Sequence, residues 1–225
     1  MNIHDVENYR RVSILNCLAK VFEGLIHDAV YWQVHGVISP QQHGFVRKRS
    51  TTTNLMCFVS SVVDQMQKRQ QLDAIYVDFS KAFDKVPHFL LINKLERMGF
   101  PDWMTRWLFS YLSGRSAHVR IGESCSTPFE ITSGVPQGSV LGPLLFVLFI
   151  NDLCNMITST KLLFADDLKF FRTIYSILDC PAIQSDVDAL LYWCTLNGME
   201  VNVKKCNVIT FARIKHPIQF DYLIA

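Results

Sequence analysis

Apolar positions along the chain switch between helical and extended periods, and the alternation predicts a mixed architecture. From Val12 to Val34 the stripe Leu15, Leu18, Phe22, Leu25, Ile26 and Val30 keeps a helical period until Pro40 and Gly44 break it. Ser50 to Thr53 form a polar helix start ahead of Leu55, Phe58, Val59, Val62 and Met66. Ala74 to Val77 is a short unbroken apolar run, read as a buried strand that ends in Asp78. Pro87 suits the first position of a helix running to Arg97. Gly99 stops that helix, and Pro101 opens another whose face carries Trp103, Trp107, Leu108 and Tyr111.

Further along, 117–121 and 129–132 alternate like two strands around Gly122 and Pro128. Ser133 to Ser139 is a Gly/Pro-rich loop feeding an apolar helix through Leu153. In K-L-L-F-A-D-D-L-K-F-F, Asp166 and Asp167 sit between apolar runs, which predicts a tight hairpin with both carboxylates at its tip. An amphipathic helix over 183–196 ends at Asn197-Gly198, and 199–203, 207–211 and 217–225 read as strands. Trimmed of its extra helices, the order from Ala74 onward resembles a split β-α-β-β-α-β unit, an α+β fold with an antiparallel sheet. In that topology the Asp78 strand and the Asp166 hairpin are neighbours.

Composition narrows the class without naming a chemistry. With 225 residues, 49% of them hydrophobic and 19% charged, the chain can bury one large or two small cores and is not a disordered sequence. A net charge of +2 neither announces nor opposes a nucleic-acid partner. The seven cysteines form no C-x-x-C pair and read as reduced core thiols of an intracellular protein, cytoplasmic or nuclear. The seven histidines show no zinc spacing. No signal peptide is read in the sequence, and the apolar run Val140 to Ile150 is too short to span a bilayer, so no membrane partner is expected. Neither end carries a linker or polar tail, which reads as a piece cut from a longer polypeptide.

Adjacent carboxylates in apolar surroundings repel, so Asp166 and Asp167 call for a shared cation or proton, although aspartate is also an ordinary turn residue. Asp78 at the end of a buried strand favours metal, because a buried carboxylate is costly unless it is paired. Mg²⁺ is held by one or two carboxylates plus phosphate oxygens, and a pair of ions roughly 3.5–4 Å apart serves phosphoryl transfer. Arg47-Lys48-Arg49, just before a helix start, suits phosphate or is a solvated basic loop. No Ser-His-Asp order or Walker loop competes.

Three stretches then carry a family likeness: Y-V-D-F-S-K-A-F-D (Tyr76 to Asp84), S-G-V-P-Q-G-S-V-L-G-P-L-L-F (Ser133 to Phe146) and F-A-D-D (Phe164 to Asp167). Together with N-Y-R-R-V-S-I-L-N, Q-H-G-F-V-R-K-R-S-T-T-T-N-L and N-V-K-K-C, they resemble reverse transcriptases of non-LTR (LINE-like) retrotransposons of the jockey type, over nearly the whole chain. The resemblance implies a polymerase right-hand fold: helical fingers over 1–73, a palm over 74–225, and a thumb missing from this piece. It implies catalytic roles for Asp78, Asp166, Asp167 and Lys205 (Lys204 as the alternative), with two Mg²⁺ ions, or Mn²⁺, held by the three aspartates and the Phe79 carbonyl. Phe83 would exclude a ribose 2′-OH, Gln137 and Gly138 would lie beside nucleotide and template, and Arg47 and Arg49 would hold the triphosphate. The implied partners are an RNA template, a DNA primer, dNTPs and the rest of a retrotransposon polyprotein in cis, with its thumb and an endonuclease. Arg11 stands where the family has Pro, and Val46 interrupts the G-F-R wording. A fragment that binds nucleic acid without polymerising is the alternative. An RNA-recognition sheet would need exposed aromatics on its central strands, and a nucleotide cyclase would need a G-G-[D/E]-E-F signature.

Overall fold

The structure, a computed structural model, describes residues 12–224. Asn8 to Arg11 of the N-terminal motif lie outside the described residues. Asn16 opens the first helix, its side chain accepting from the Ala19 N–H at 2.7 Å, so α1 is Cys17–Val34 and starts later than the apolar period suggests. Ser50 caps α2 (Thr51–Gln67) in a capping box with Thr53. β1 (Gln71–Val77), α3 (Ala82–Lys85), α4 (His88–Arg97) and α5 (Asp102–Leu112) follow. Pro87 and Pro101 sit one residue ahead of their helices as N-caps.

The two strands expected around Gly122 are four short ones. β2 (Arg115–Ala117) pairs with β5 (Phe129–Ile131), and β3 (Arg120–Ile121) with β4 (Ser124–Cys125), apart from the main sheet. Next come α6 (Leu141–Ile150), α7 (Leu153–Met156), β6 (Thr160–Phe164), β7 (Asp167–Ile174), α8 (Cys180–Asn197) and β8 (Asn207–Phe211). Gly198, at φ +64°, closes α8 as its composition predicts.

The main sheet is antiparallel throughout in the order β6-β7-β1-β8, which is the split topology read from the element order. Strand alternation sends Ile75, Val77, Leu168 and Phe170 into the larger core under α4, α6 and α8. The opposite face presents Leu72, Ala74, Leu162 and Phe171 to Phe58 and Val62 of α2.

β1 begins at Gln71, earlier than the apolar run, and the 73/74 division falls inside it. Two buried polar residues hide that start from a hydropathy reading. Asp73 accepts from the Tyr222 hydroxyl at 2.8 Å, and Gln71 exchanges hydrogen bonds with the Ile218 backbone. The same contacts explain why 217–224 is not a strand: side chains of β1, not a ladder, dock it along the core. Residues 199–203 also form no strand, only the single bridge Phe79–Val201 followed by a 3₁₀ turn at Val203–Lys205. The seven cysteines are free, but Cys17, Cys57 and Cys125 are exposed rather than core. Among the described residues no helix is long and apolar enough to cross a membrane.

Candidate active site

β1 and β7 lie side by side at the centre of the sheet, and their last paired residues are Val77 and Leu168. Asp78 follows the one and Asp167 precedes the other, so both leave the sheet at the same end. Period-two alternation puts them on the α2 face with Tyr76 and Lys169. The Asp78 carbonyl accepts from the Asn202 N–H at 2.7 Å, and the Ser80 N–H donates to the Glu200 carbonyl at 2.8 Å. These two bonds flank the Phe79–Val201 bridge and leave the Phe79 carbonyl out of it, while the Phe79 ring is buried against Trp193.

The hairpin tip is shifted by one residue from the expected one. Phe164 pairs with Asp167, so the loop residues are Ala165 and Asp166, and Asp167 is the first residue of β7. Two-residue hairpins need positive φ in the loop, and Ala165 supplies it at +57°. Asp166 is half-buried and Asp167 exposed, so the two carboxylates are not equivalent.

A cleft of about 710 Å³ opens between α2 and these strand ends, lined by Asp78, Asp167, Lys169 and Lys205 among others. Lys205 Nζ stands 3.5 Å from Asp78 Oδ2. Lys205, not Lys204, makes that approach. Burial pushes the Lys169 amine below the ordinary lysine range, and the Asp167 charge opposes the shift. Among the described residues no three His, Cys, Asp or Glu side chains gather closely enough to hold a metal by themselves. The available donors are hard carboxylate oxygens at one sheet end. They fit Mg²⁺ or Mn²⁺ completed by water and phosphate, and do not fit a closed all-protein cage.

A second group of the expected residues locks together on α3 and the 133–138 loop, and none of them lines the cleft. On α3, Phe83 stacks on Phe146 (centroids 4.3 Å, planes 19° apart) and meets Phe45 edge-on at 6.3 Å. Its carbonyl accepts from the Val135 N–H at 2.8 Å, and the Asp84 carbonyl accepts from the Ser133 hydroxyl at 2.8 Å. Gly134 (φ +90°) must be glycine, since a Cβ there would stand 2.7 Å from the Asp84 carbonyl oxygen. Gln137 Nε2 donates to Asp84 Oδ1 at 3.1 Å, and its carbonyl accepts from the Ser13 N–H at 2.7 Å, beside Gly138.

The two arginines expected at the triphosphate are engaged elsewhere. Arg47 pairs with Asp28 at 2.5 Å and lies over the Tyr31 ring. Arg49 donates to the Ser39 and Gln42 carbonyls at 2.9 and 2.6 Å. Neither lines the cleft.

The family model described as reverse transcriptase (RNA-dependent DNA polymerase) matches residues 3–224. The chain belongs to the reverse transcriptase family. It is 31% identical over 219 residues to the RNA-directed DNA polymerase from mobile element jockey of Drosophila melanogaster, covering 92% of this chain and 24% of that protein. It is 34% identical over 212 residues to the probable RNA-directed DNA polymerase from transposon X-element of the same organism, covering 91% and 23%. This reverse transcriptase chain therefore spans about a quarter of the length of these relatives. Among solved structures, apo telomerase from Candida tropicalis, truncated from its C-terminal domain, superposes with a TM-score of 0.59 at 14% identity, covering 86% of this chain and 40% of that one. At that identity the likeness speaks for the fold.

Two residues in or next to the candidate site of this reverse transcriptase chain escape a sequence reading. Asp84 looks like a helix-approach residue, yet it holds Gln137. Lys169 stands among apolar neighbours in β7, and period two from Asp167 would have put it on the cleft face.

Proposed function

We propose that this chain is the fingers (1–73) and palm (74–225) of a retrotransposon RNA-directed DNA polymerase, transferring dNMP to a primer 3′-OH on an RNA template. One observation carries the reading: the sheet brings Asp78 and the Asp166-Asp167 hairpin, 88 residues apart in sequence (166 less 78), to one end beside an open cleft. In the reaction the primer 3′-OH gives its proton to solvent and its oxygen forms a bond to the α-phosphorus, while the α–β bridging P–O bond breaks and pyrophosphate leaves. Asp78 and Asp166, with Asp167 and the Phe79 carbonyl beside them, would hold two Mg²⁺ ions. Bound there, such ions offset the charge on the phosphate oxygens and on the attacking and leaving oxygens.

The remaining roles belong to the chain's own groups. Lys205, poised at Asp78, donates a proton to the departing pyrophosphate. Phe83, stiffened by its stack on Phe146, excludes a 2′-OH from the sugar position. Gln137, oriented by Asp84, and Gly138 line the nucleotide and template side. Thumb and endonuclease functions would come from the rest of the polyprotein.

The internal pairing of Arg47 and Arg49 favours a second reading, nucleic-acid binding without efficient polymerisation, because triphosphate contacts would need both arginines to move. One assay separates the two. In a polypeptide carrying this chain together with a thumb, Mg²⁺-dependent extension of a DNA primer on RNA is expected, falling to background in Asp166→Asn. Template binding with no extension in the unaltered protein would favour the second reading, and full extension by Asp166→Asn would overturn the mechanism.

A further inference from the structure

The turn that carries Asp166 is held from outside its own hairpin. In a two-residue loop the ladder uses the amide of the residue after the loop and leaves the first loop amide without a strand partner. Ala165 is that residue here, and it is only 4% exposed, so water does not satisfy its N–H. Gln42 does. Its side chain, 2% exposed, places Oε1 3.0 Å from the Ala165 nitrogen and 2.9 Å from the Gly44 nitrogen, accepting from both. Around it the 41–44 segment is laced to β6. The His43 N–H donates to the Leu163 carbonyl at 2.8 Å, and the Leu163 N–H donates to the Gln41 carbonyl at 2.9 Å. Gly44 packs so closely that a Cβ would stand 2.3 Å from the Ala165 nitrogen.

An alanine at φ +57° occupies a sparsely populated region that strains a non-glycine residue, and such a conformation persists only where its surroundings over-determine it. Releasing the Ala165 amide lets the turn relax and rotates the peptide that leads into Asp166. We infer that Gln42 is a positioning residue for Asp166: its buried amide oxygen fixes the hairpin turn, so the carboxylate is set before metal or nucleotide arrives. Arg49 adds to this device by gripping the Gln42 and Ser39 carbonyls from behind. The inference rests on reading Asp166 as a metal-holding carboxylate.

The first test needs no polymerase activity. Amide hydrogen exchange in the 225-residue chain should show Ala165 protected, where a frayed loop amide would exchange almost freely. Gln42→Leu, which removes the acceptor at similar volume, should speed that exchange about tenfold. Gln42→Glu keeps an acceptor oxygen but sets its second oxygen against the Ala165 carbonyl, which Gln42 Nε2 faces at 3.5 Å, so it should recover only part of the protection lost in Gln42→Leu. Unprotected Ala165 in the unaltered chain, or equal protection in Gln42→Leu, overturns the inference; the first outcome decides even if Gln42→Leu fails to fold.

The second readout is Mn²⁺ affinity followed by paramagnetic broadening. Gln42→Leu should weaken it about tenfold, as loss of a supporting partner does at metal sites. Asp186→Asn, which loosens the far end of β6, should leave it within about twofold. Lost protection with unchanged Mn²⁺ affinity also overturns the positioning role. If Asp166→Asn binds Mn²⁺ as the unaltered chain does, the metal reading itself falls, while the exchange data still decide whether Gln42 holds the turn.

Discussion

His88 donates from Nε2 to the Gly134 carbonyl at 2.9 Å while 8% exposed, a bond that the neutral and the charged ring can both make. Burial holds its pKa below the ordinary histidine value. The Gly134 bond opposes the shift, and the Arg115 charge adds to it. His43 is lowered in the same way, by burial first and then by Arg49 and Lys169. With the folded values depressed, the unfolded chain binds more protons, so these histidines stabilise the fold above about pH 6.5 and the contribution is lost as pH falls through the folded values. Urea midpoints measured at pH 7.5 and 5.5 should therefore drop on acidification, and His88→Gln should flatten part of that slope. At this scale the candidate carboxylates stand out in the sequence, since Asp78 ends an apolar run and Asp166-Asp167 interrupts another. The sequence shows the cations poorly. Asp28 and two backbone carbonyls claim Arg47 and Arg49, and such partners leave no local pattern.

Among the elements, α6 is the most buried and the least able to orient itself, because every side of it is apolar. Its direction comes from Glu23 of α1, 3% exposed, whose Oε2 accepts from the Val140 and Leu141 amides at 2.8 and 3.3 Å. Glu23 Oε1 accepts the Tyr111 hydroxyl at 2.8 Å. Glu23→Ala strands these donors, and equilibrium unfolding should report a loss of about 1–3 kcal/mol. Helix ends with side-chain or glycine caps, Ser50 and Gly198, can be read from sequence because the cap is local. The absence of strands at 199–203 and 217–224 cannot. Those segments have strand-like composition, but β8 already occupies the β1 edge that either would need.

For the whole molecule, the strand order 4-1-3-2 in sequence terms follows from element order alone, whereas the covering of both sheet faces does not. Phe58 and Val62 of α2 close the face that holds Leu72, Ala74, Leu162 and Phe171, so the proposed fingers contribute to the proposed palm's packing. A piece beginning at Arg69 keeps β1 and loses α1 and α2. It should bind a hydrophobic dye and unfold without a sharp transition, as a state with lost side-chain packing does. A cooperative, dye-silent piece would show that the second cluster is dispensable.

The central place of β1 also sets a timetable for making the protein. Ile75 pairs with Phe170 on one side and Val208 on the other, so both neighbours of this strand are encoded far downstream. At ribosomal speeds of about 5–20 residues per second, the strand waits on the order of 5–20 s before its nearer partner is even synthesised. Through that interval its two apolar faces and both hydrogen-bonding edges are open. The sheet that ends by aligning the aspartates is thus built around its most vulnerable member, and nascent chains would depend on chaperones most while residues 71–170 are emerging.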